Sequence, residues 1–492
     1  MSRKLTVVLL VLSLALGCFS GLAMAEEPVT ITWYGVGAQS DHQARINEAA
    51  SAYLQSKGIN VNLELNILSW GDYAQVYQVM MATQEEFDLL NAEGNRLIQF
   101  GLNGGLVEIT DDLLTNSLPG VKSVVSETIL NALKHNGALY TIPAMHEWAQ
   151  YYGFPYINMD VMEALGLEES LRAVETLDDL DPILEQVHAA YPDIVCIGMP
   201  DMETVMCAYK VDPINHASAL CVGLDVMQEN AVAFNYFENE GVQAVLAKAQ
   251  EWYQKGYIDS DTTRTTSNLI AQGQIFSQIG RFKPGTGSQS TNVYARYTDM
   301  AWDEDAAPLL TMKDAPGGWG TGISKTSKNP ELAMQVLDLA YTDPDFLNIL
   351  VFGEKDVDYT LNDECYLTYI EGGYANDVAV SRTWEFGNQP MTYVTTSYVD
   401  LGLANIWELQ EEFNNSAVAV ESAGFYFDTT DVDIEVAAIA NVYDEYAPML
   451  WRGAVENLEE TLAEFNQKLY DNGLQTVIDE VNRQYAEFLA NK

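Results

Sequence analysis

The sequence is poor in basic residues. It has 24 lysines and arginines against 71 aspartates and glutamates, a formal net charge of −47 over 492 residues. Because nucleic acids are bound through clusters of positive charge, this balance excludes nucleic acid as a main partner. It also argues against an anionic ligand, since local basic groups would have to overcome the field of the whole protein.

Motifs that build common catalytic or metal sites are also missing. There are only five histidines and five cysteines, and no H-E-x-x-H, C-x-x-C, G-x-S-x-G or phosphate-loop pattern occurs. Gly35 and Gly37 follow a predicted strand, but Ser40 stands where a dinucleotide fingerprint needs its third glycine. We therefore predict no catalytic residue, no metal site and no cofactor.

The amino-terminal residues 1–25 have the pattern of an export signal. Two basic residues precede the apolar stretch Leu5 to Leu16, which is too short to span a bilayer, and Ala23-Met24-Ala25 forms a small-x-small cleavage site. The alternative is a lipoprotein box ending at Cys18, with that cysteine as a lipid anchor. Both interpretations place the mature chain outside the cytoplasm. Among the four remaining cysteines, we expect buried thiols or one local bridge within the set Cys196, Cys207 and Cys221, with Cys365 apart.

The mature chain begins with alternating strand and helix patterns. Residues 29–34 and 61–67 predict strands, the second with one polar face, and residues 87–92 predict a short buried strand. Apolar positions from Ile46 to Leu54 and from Tyr73 to Met81 recur at helical spacing between these strands. This order predicts a parallel α/β sheet.

A second α/β unit and a helical tail follow. Residues 180–187 and 242–253 predict helices, and residues 194–197 predict a buried strand. Asn329-Pro330 and Asp343-Pro344 each combine a helix-capping residue with a proline at the first helical position. After residue 455 the pattern is helical, and no run of 18 apolar residues occurs in the mature chain.

Aromatic residues in loops and at strand ends are the most informative feature for function. Such positions are where α/β proteins form ligand crevices, and flat rings beside carboxylates and amides suit sugar rings with their hydroxyl rims. The predicted ligand-binding residues are aromatic side chains at strand ends and turns, together with the charged and amide side chains near them. They are Tyr34, Trp70, Glu93, Glu147, Trp148, Arg281, Trp319, Trp384, Glu385 and Asn388.

Four segments together carry a resemblance to a known family: V-T-I-T-W-Y-G, G-A-L-Y-T-I-P-A, G-I-S-K-T-S-K-N-P-E-L-A-M-Q-V-L-D-L-A-Y-T-D-P and the Phe386-Gly387-Asn388-Gln389 turn. They resemble the family 1 extracellular solute-binding proteins of ABC importers, and the later part resembles their LipO-like branch. The resemblance covers nearly the whole mature chain. It implies two α/β lobes joined by crossing strands, a type II-like periplasmic-binding-protein fold, with the ligand held in the cleft by hinge closure.

We accordingly assign residues 28–143 plus 322–383 to lobe 1 and residues 144–321 plus 390–490, with the C-terminal helices, to lobe 2. The expected partners are a small solute, most simply a carbohydrate, and ABC transporter permease subunits, for a protein that works as a monomer. Two alternatives stay open. A secreted glycosidase would need a carboxylate pair across the cleft. A peptide or amino-acid binder would need an arginine there, for which Arg281 is the candidate.

Overall fold

The computed structural model describes residues 27–135, 137–146, 148–149, 151–282, 284–285, 309–310 and 318–491. The predicted signal segment with Cys18 lies outside this part of the chain. Fifteen strands are described, in chain order: β1 (Val29–Val36), β2 (Val61–Leu68), β3 (Leu89–Glu93), β4 (Ile142–Pro143), β5 (Tyr151–Ile157), β6 (Val195–Ile197), β7 (Val211–Pro213), β8 (Val222–Asp225), β9 (Phe234–Asn235), β10 (Ile275–Phe282), β11 (Leu309–Leu310), β12 (Trp319–Ile323), β13 (Tyr359–Leu361), β14 (Leu367–Tyr369) and β15 (Val418–Ala419).

Twenty α-helices are described in the same part of the chain. They are α1 (Gln43–Ser56), α2 (Tyr73–Thr83), α3 (Gly94–Leu102), α4 (Asp111–Asn116), α5 (Pro119–Val124), α6 (Glu127–Ala132), α7 (Met159–Leu165), α8 (Glu168–Arg172), α9 (Asp181–Ala190), α10 (Met202–Tyr209), α11 (Glu240–Gln254), α12 (Thr266–Ala271), α13 (Pro330–Thr342), α14 (Pro344–Phe352), α15 (Tyr374–Arg382), α16 (Thr396–Asp400), α17 (Ile406–Ser416), α18 (Asp433–Arg452), α19 (Leu458–Asp471) and α20 (Leu474–Asn491). No helix in the described residues is long and apolar enough to cross a membrane.

Lobe 1 is built on a five-stranded sheet with the order β2-β1-β3-β12-β4. β1 is parallel to β2 and β3, whereas β12 runs antiparallel to β3 and β4. Residues of α1, α13 and α14 pack on one face of the sheet, and residues of α2 and α3 pack on the other. Buried and exposed residues alternate along β2 because one of its faces is in the core, as its sequence pattern predicts.

Lobe 2 has a smaller sheet and a larger helical layer. Its strands have the order β5-β10-β6, with β10 antiparallel to β5 and parallel to β6. Its core unites α9 and α11 with the C-terminal helices α18, α19 and α20. Trp252 of α11, Phe465 of α19 and Val481 of α20 are all fully buried in this one core. The C-terminal helices therefore pack in the same core as α9 and α11, and α18 has no counterpart among the predicted elements.

The crossing between the lobes near residue 145 is held from two sides. The Met145 N–H donates to the Gly387 carbonyl at 2.8 Å, and the Gln389 N–H donates to the Met145 carbonyl at 2.9 Å. On the other side, the Asn414 side-chain oxygen of α17 accepts from the Trp148 N–H at 2.7 Å. Two segments distant in sequence are thus joined at this crossing.

The lobe boundaries differ from the predicted ones at two places. β12 begins at Trp319 and lies wholly in the lobe 1 sheet, so the boundary predicted between residues 321 and 322 cuts through a strand. The chain also stays with lobe 1 beyond residue 390, because Tyr393 packs on that core and the Leu367 N–H donates to the Val394 carbonyl at 2.9 Å. The lobe 2 core resumes at Phe425.

Candidate functional site

Three tryptophans and one tyrosine meet at the edge of the lobe 1 sheet where β3 ends. The β12 register places Trp319 opposite Glu93, the last residue of β3. Trp70 comes from the turn before α2, and Trp384 comes from the turn after α15. We call Trp70, Tyr73, Trp319 and Trp384 the aromatic cluster. Three of the predicted residues are thus brought together because strand ends and turns converge at one edge.

Ring contacts connect all four members of the aromatic cluster. Trp70 and Trp384 are stacked, with centroids 6.0 Å apart and planes inclined by 24°. Trp319 lies 5.7 Å from Trp70 and 5.2 Å from Trp384, and Tyr73 meets the Trp70 ring edge-on at 5.8 Å. Trp70 is 50% exposed, whereas Trp319 is 5% exposed. The exposed ring of Trp70 is therefore supported from below by the buried ring of Trp319.

The aromatic cluster contains two polar groups, the Tyr73 hydroxyl and the Trp319 indole N–H. The Tyr73 hydroxyl donates to Glu93 Oε1, and burial together with that carboxylate raises the pKa of Tyr73 to about 12. Tyr73 thus keeps its proton at neutral pH. The Trp319 indole N–H is buried and has no acceptor among the described residues.

Arg96, from the first turn of α3, completes the polar side of the site. Its Nε donates to Glu93 Oε2 at 3.0 Å, and its guanidinium carbon lies 5.3 Å from the centroid of the Tyr73 ring. Sequence reasoning missed both Tyr73 and Arg96. Tyr73 has the spacing of a helix-core residue, and the only signal for Arg96 is its place three residues after a carboxylate at a strand end.

The structure corrects the prediction for Glu385. Its side chain is fully buried, with one oxygen accepting from the Val36 N–H at 2.5 Å and the other from Arg382 Nη1 at 2.8 Å. Burial raises the pKa of the Glu385 carboxyl to about 7, against the opposing effect of the Arg382 guanidinium. This carboxyl fastens the end of β1 to α15 and has no surface for a ligand.

Tyr34 also lies away from the aromatic cluster. Its ring meets Phe87 edge-on at 6.2 Å, and burial, Glu85 and Glu64 raise its pKa. Phe87 precedes β3, so Tyr34 is directed to the opposite end of that strand from Glu93. Its role is therefore in packing the sheet.

The remaining predicted residues belong to the crossing or to the lobe 2 sheet, or are not described. Trp148 is buried at the crossing, where its indole N–H donates to the Ala144 carbonyl at 3.3 Å. Asn388 is paired with Met145 at the same crossing. Arg281 lies in β10 opposite Tyr152 of β5, and Glu147 is outside the described residues.

Lobe 2 touches lobe 1 next to the aromatic cluster. The Asn95 side chain, between Glu93 and Arg96 in the chain, donates to the Asn215 carbonyl of lobe 2 at 3.3 Å. Asn215 has a φ of 52° and is fixed there by two hydrogen bonds to the Phe427 backbone, at 2.7 and 2.9 Å. A second contact joins the His135 and Tyr426 rings, with centroids 5.5 Å apart. The site edge therefore faces the other lobe.

Within the described residues, no group of three or more histidine, cysteine, aspartate or glutamate side chains is arranged to hold a metal ion. Cys196, Cys221 and Cys365 are free thiols. Burial raises the pKa of the Cys196 thiol to about 12, which makes it unreactive.

A family model identifies the class of protein. Residues 48–349, more than half of the chain, match the model of bacterial extracellular solute-binding proteins. The chain belongs to that family, which places it outside the cytoplasm. Residues 421–490 also match a domain of unknown function.

Individual relatives resemble the chain over nearly its full length. A carbohydrate ABC transporter substrate-binding protein of Streptococcus pneumoniae serotype 4 is 24% identical over 95% of this chain and 92% of the relative. The crystal structure of an N-glycan transport solute-binding protein from Streptococcus pneumoniae is 22% identical, covers 94% of this chain and 99% of that one, and has a TM-score of 0.80. The same protein in complex with Man5GlcNAc, with the same identity and coverage, gives 0.73. These likenesses confirm the two-lobe α/β fold.

Proposed function

We propose that this protein captures a neutral oligosaccharide, of the mannose–GlcNAc type, between its two lobes and delivers it to the permease subunits of an ABC importer. The aromatic cluster carries this proposal. A half-exposed Trp70 stacked on Trp384 offers an apolar plane to the C–H face of a sugar ring, and burying that plane contributes about 1–3 kcal/mol for each ring. The names of the relatives support the ligand class.

Polar groups around the cluster favour hydroxyls over charged groups. The Arg96 guanidinium is already paired with Glu93, and the whole chain carries a net charge of −47. An acidic sugar or a free carboxylate would meet no uncompensated positive charge at this pair. The Trp319 N–H is buried without an acceptor in the described part of the chain, and a sugar oxygen would satisfy it once a movement of the surrounding rings opens access to it.

Hinge closure fits the placement of the site. The aromatic cluster lies in lobe 1, and Asn95 beside it contacts lobe 2, so a ligand on the cluster would touch both lobes. A ligand that binds a closed form of the protein more tightly than an open form would shift the equilibrium between them towards closure.

Titration calorimetry of the mature protein with Man5GlcNAc, Man1GlcNAc and a neutral tripeptide tests the proposal. We expect heat and saturation with at least one glycan and none with the peptide. Solution scattering of the same samples should show a smaller radius of gyration with glycan. Peptide binding without glycan binding would contradict the carbohydrate assignment.

We further propose that binding involves no chemical step and that the protein acts as a monomer. Incubating the protein with each glycan and separating the products by chromatography should return the glycan intact. Hydrolysis at an enzyme-like rate, of order 1 per second, would favour the glycosidase alternative. Light scattering checks the monomer, and reconstitution with the permease would check delivery.

A further inference from the structure

We propose that Arg96 is a positioning residue of the saccharide site, which acts through Glu93 rather than by touching the ligand. This inference rests on the proposed function, because it assigns a role within that site. Arg96 lies on α3, whereas the two groups it holds lie at the end of β3 and at the start of α2. One side chain therefore joins three elements that converge on the site.

The conformation of Glu93 shows what Arg96 does. Glu93 occupies the residue before α3, where a side chain commonly accepts a hydrogen bond from the first turn of the helix. It makes no such bond. Instead, one carboxylate oxygen accepts from Tyr73 and the other from Arg96. The carboxylate is thereby turned away from its own helix and fixed at both oxygens.

Glu93 keeps capacity to bind a ligand in this position. Each carboxylate oxygen can accept two hydrogen bonds. Oε1 accepts one from Tyr73 and Oε2 accepts one from Arg96, so each oxygen can accept one more. The Glu93 side chain is 37% exposed, whereas that of Arg96 is 22% exposed. The carboxylate is thus the more accessible partner, and a sugar hydroxyl is the donor that suits it.

The same arginine supports the aromatic cluster. Its guanidinium lies over one face of the Tyr73 ring at 5.3 Å, and Tyr73 meets Trp70 edge-on at 5.8 Å. A planar guanidinium can bond a carboxylate and stack on a ring at once, whereas the ammonium of a lysine acts as a point charge. Arg96 therefore sets both the direction of Glu93 and the support beneath the exposed tryptophan.

A double-mutant cycle tests this role. The variants are Arg96→Met, Arg96→Lys, Glu93→Gln and the Arg96→Met/Glu93→Gln pair, titrated with Man5GlcNAc. We expect Arg96→Met to weaken binding about tenfold in the wild-type background and less than about twofold in the Glu93→Gln background, because the two residues act as one unit. Arg96→Lys should restore only part of the affinity. Arg483→Met, which removes an exposed arginine paired with Glu480 in lobe 2, is the matched control and should bind normally.

A second measurement needs no ligand. The stacked Trp70 and Trp384 rings should give a near-ultraviolet circular dichroism signal, which Arg96→Met should reduce and Arg483→Met should leave unchanged. If wild type binds Man5GlcNAc but Arg96→Met loses affinity equally in both backgrounds, Arg96 contacts the ligand and the positioning role is wrong. If wild type binds no glycan, the proposed function fails, and an unchanged dichroism signal in Arg96→Met would separately overturn this inference.

Discussion

Two arginine–glutamate pairs in lobe 1 have the same spacing and opposite environments. Glu93 and Arg96 are three residues apart, as are Arg382 and Glu385. The first pair is 37% and 22% exposed beside the aromatic cluster, and both side chains of the second pair are fully buried. The difference teaches that burial decides the role of such a pair: the partly exposed Glu93–Arg96 pair is available to a ligand, whereas the buried Arg382–Glu385 pair stabilises the fold.

The buried pair explains the glycine at the end of β1. A Cβ added at Gly35 would lie 2.7 Å from Glu385 Oε1 and 2.8 Å from Ile67 Cδ1. Arg382 Nη2 also donates to the Ala38 carbonyl at 2.7 Å, just beyond the strand. Gly35, which resembles part of a dinucleotide fingerprint in the sequence, is therefore needed for close packing against a buried carboxyl.

The largest expected effect breaks the buried pair. Above pH 7, where the Glu385 carboxyl is ionised, Arg382→Met leaves it buried without its cation, and removing one partner of a buried pair costs about 3–5 kcal/mol of unfolding free energy. Denaturant unfolding followed by circular dichroism measures it. A loss below about 1 kcal/mol would show that the pair contributes no more than a surface contact.

The next largest effect is on ligand binding at the aromatic cluster, beside the partly exposed Glu93–Arg96 pair. Trp70→Ala and Trp384→Ala should each weaken glycan binding by tenfold or more, which corresponds to about 1.4 kcal/mol. Trp407→Phe is the control, since Trp407 lies in α17, donates its indole N–H to the Thr392 carbonyl and makes no ring contact with the aromatic cluster. Titration calorimetry measures the affinity of each variant for the glycan. Wild-type affinity in both alanine variants would show that the aromatic cluster does not contact the ligand.

A pH titration sharpens the contrast between the two carboxylates. The Glu385 pKa is raised from 4.5 to about 7 by burial, so between these values the folded state holds a proton that the unfolded state has lost. The unfolding free energy of wild type relative to Glu385→Gln should therefore fall as pH rises from about 4.5 to about 7, by at most about 1.4 kcal/mol for each pH unit. Thermal unfolding across this range measures the difference, and parallel curves would contradict the burial effect.

The smallest expected effect is on stability at the open pair. Arg96→Met should lower the unfolding free energy by less than about 1 kcal/mol, because ion pairs that stay partly in contact with solvent contribute little. The same denaturant series used for Arg382→Met provides the comparison. A loss as large as that of Arg382→Met would make Arg96 a structural residue like its buried counterpart.

Local patterns were sufficient to predict the first three strands of the lobe 1 sheet and the two helices between them, but the prediction of a parallel sheet was wrong for β12, which is antiparallel to β3 and β4. The period of two in β2 and the helical spacing in α1 and α2 follow from one buried face each, and the structure has these elements within a few residues. Of the two proline-marked helix starts, Asp343 caps its helix by accepting from the Phe346 N–H at 3.1 Å, whereas Asn329 makes no side-chain cap. Patterns of this kind depend on neighbours in the chain.

Contacts between distant segments could not be predicted in the same way. Trp384 and Glu385 are adjacent, yet one faces the aromatic cluster and the other enters the core, because Val36 and Arg382 are in place to receive the carboxyl. The late return to lobe 2 likewise depends on the pairing of Leu367 with Val394. The local sequence of either segment does not indicate which distant residues it will contact.

The composition of the lobe 2 core has a consequence for the order of folding. Residues 154–279 share this core with residues 425–485, and most of the described chain between them builds lobe 1. Because the chain becomes available for folding from its amino end, the inner faces of α9 and α11 stay uncovered until α18–α20 have emerged, by which time every strand of the lobe 1 sheet is present. Lobe 2 begins after lobe 1 in the chain and is completed last. A chain that ends before residue 433 would therefore expose the apolar faces of α9 and α11 to chaperones and proteases.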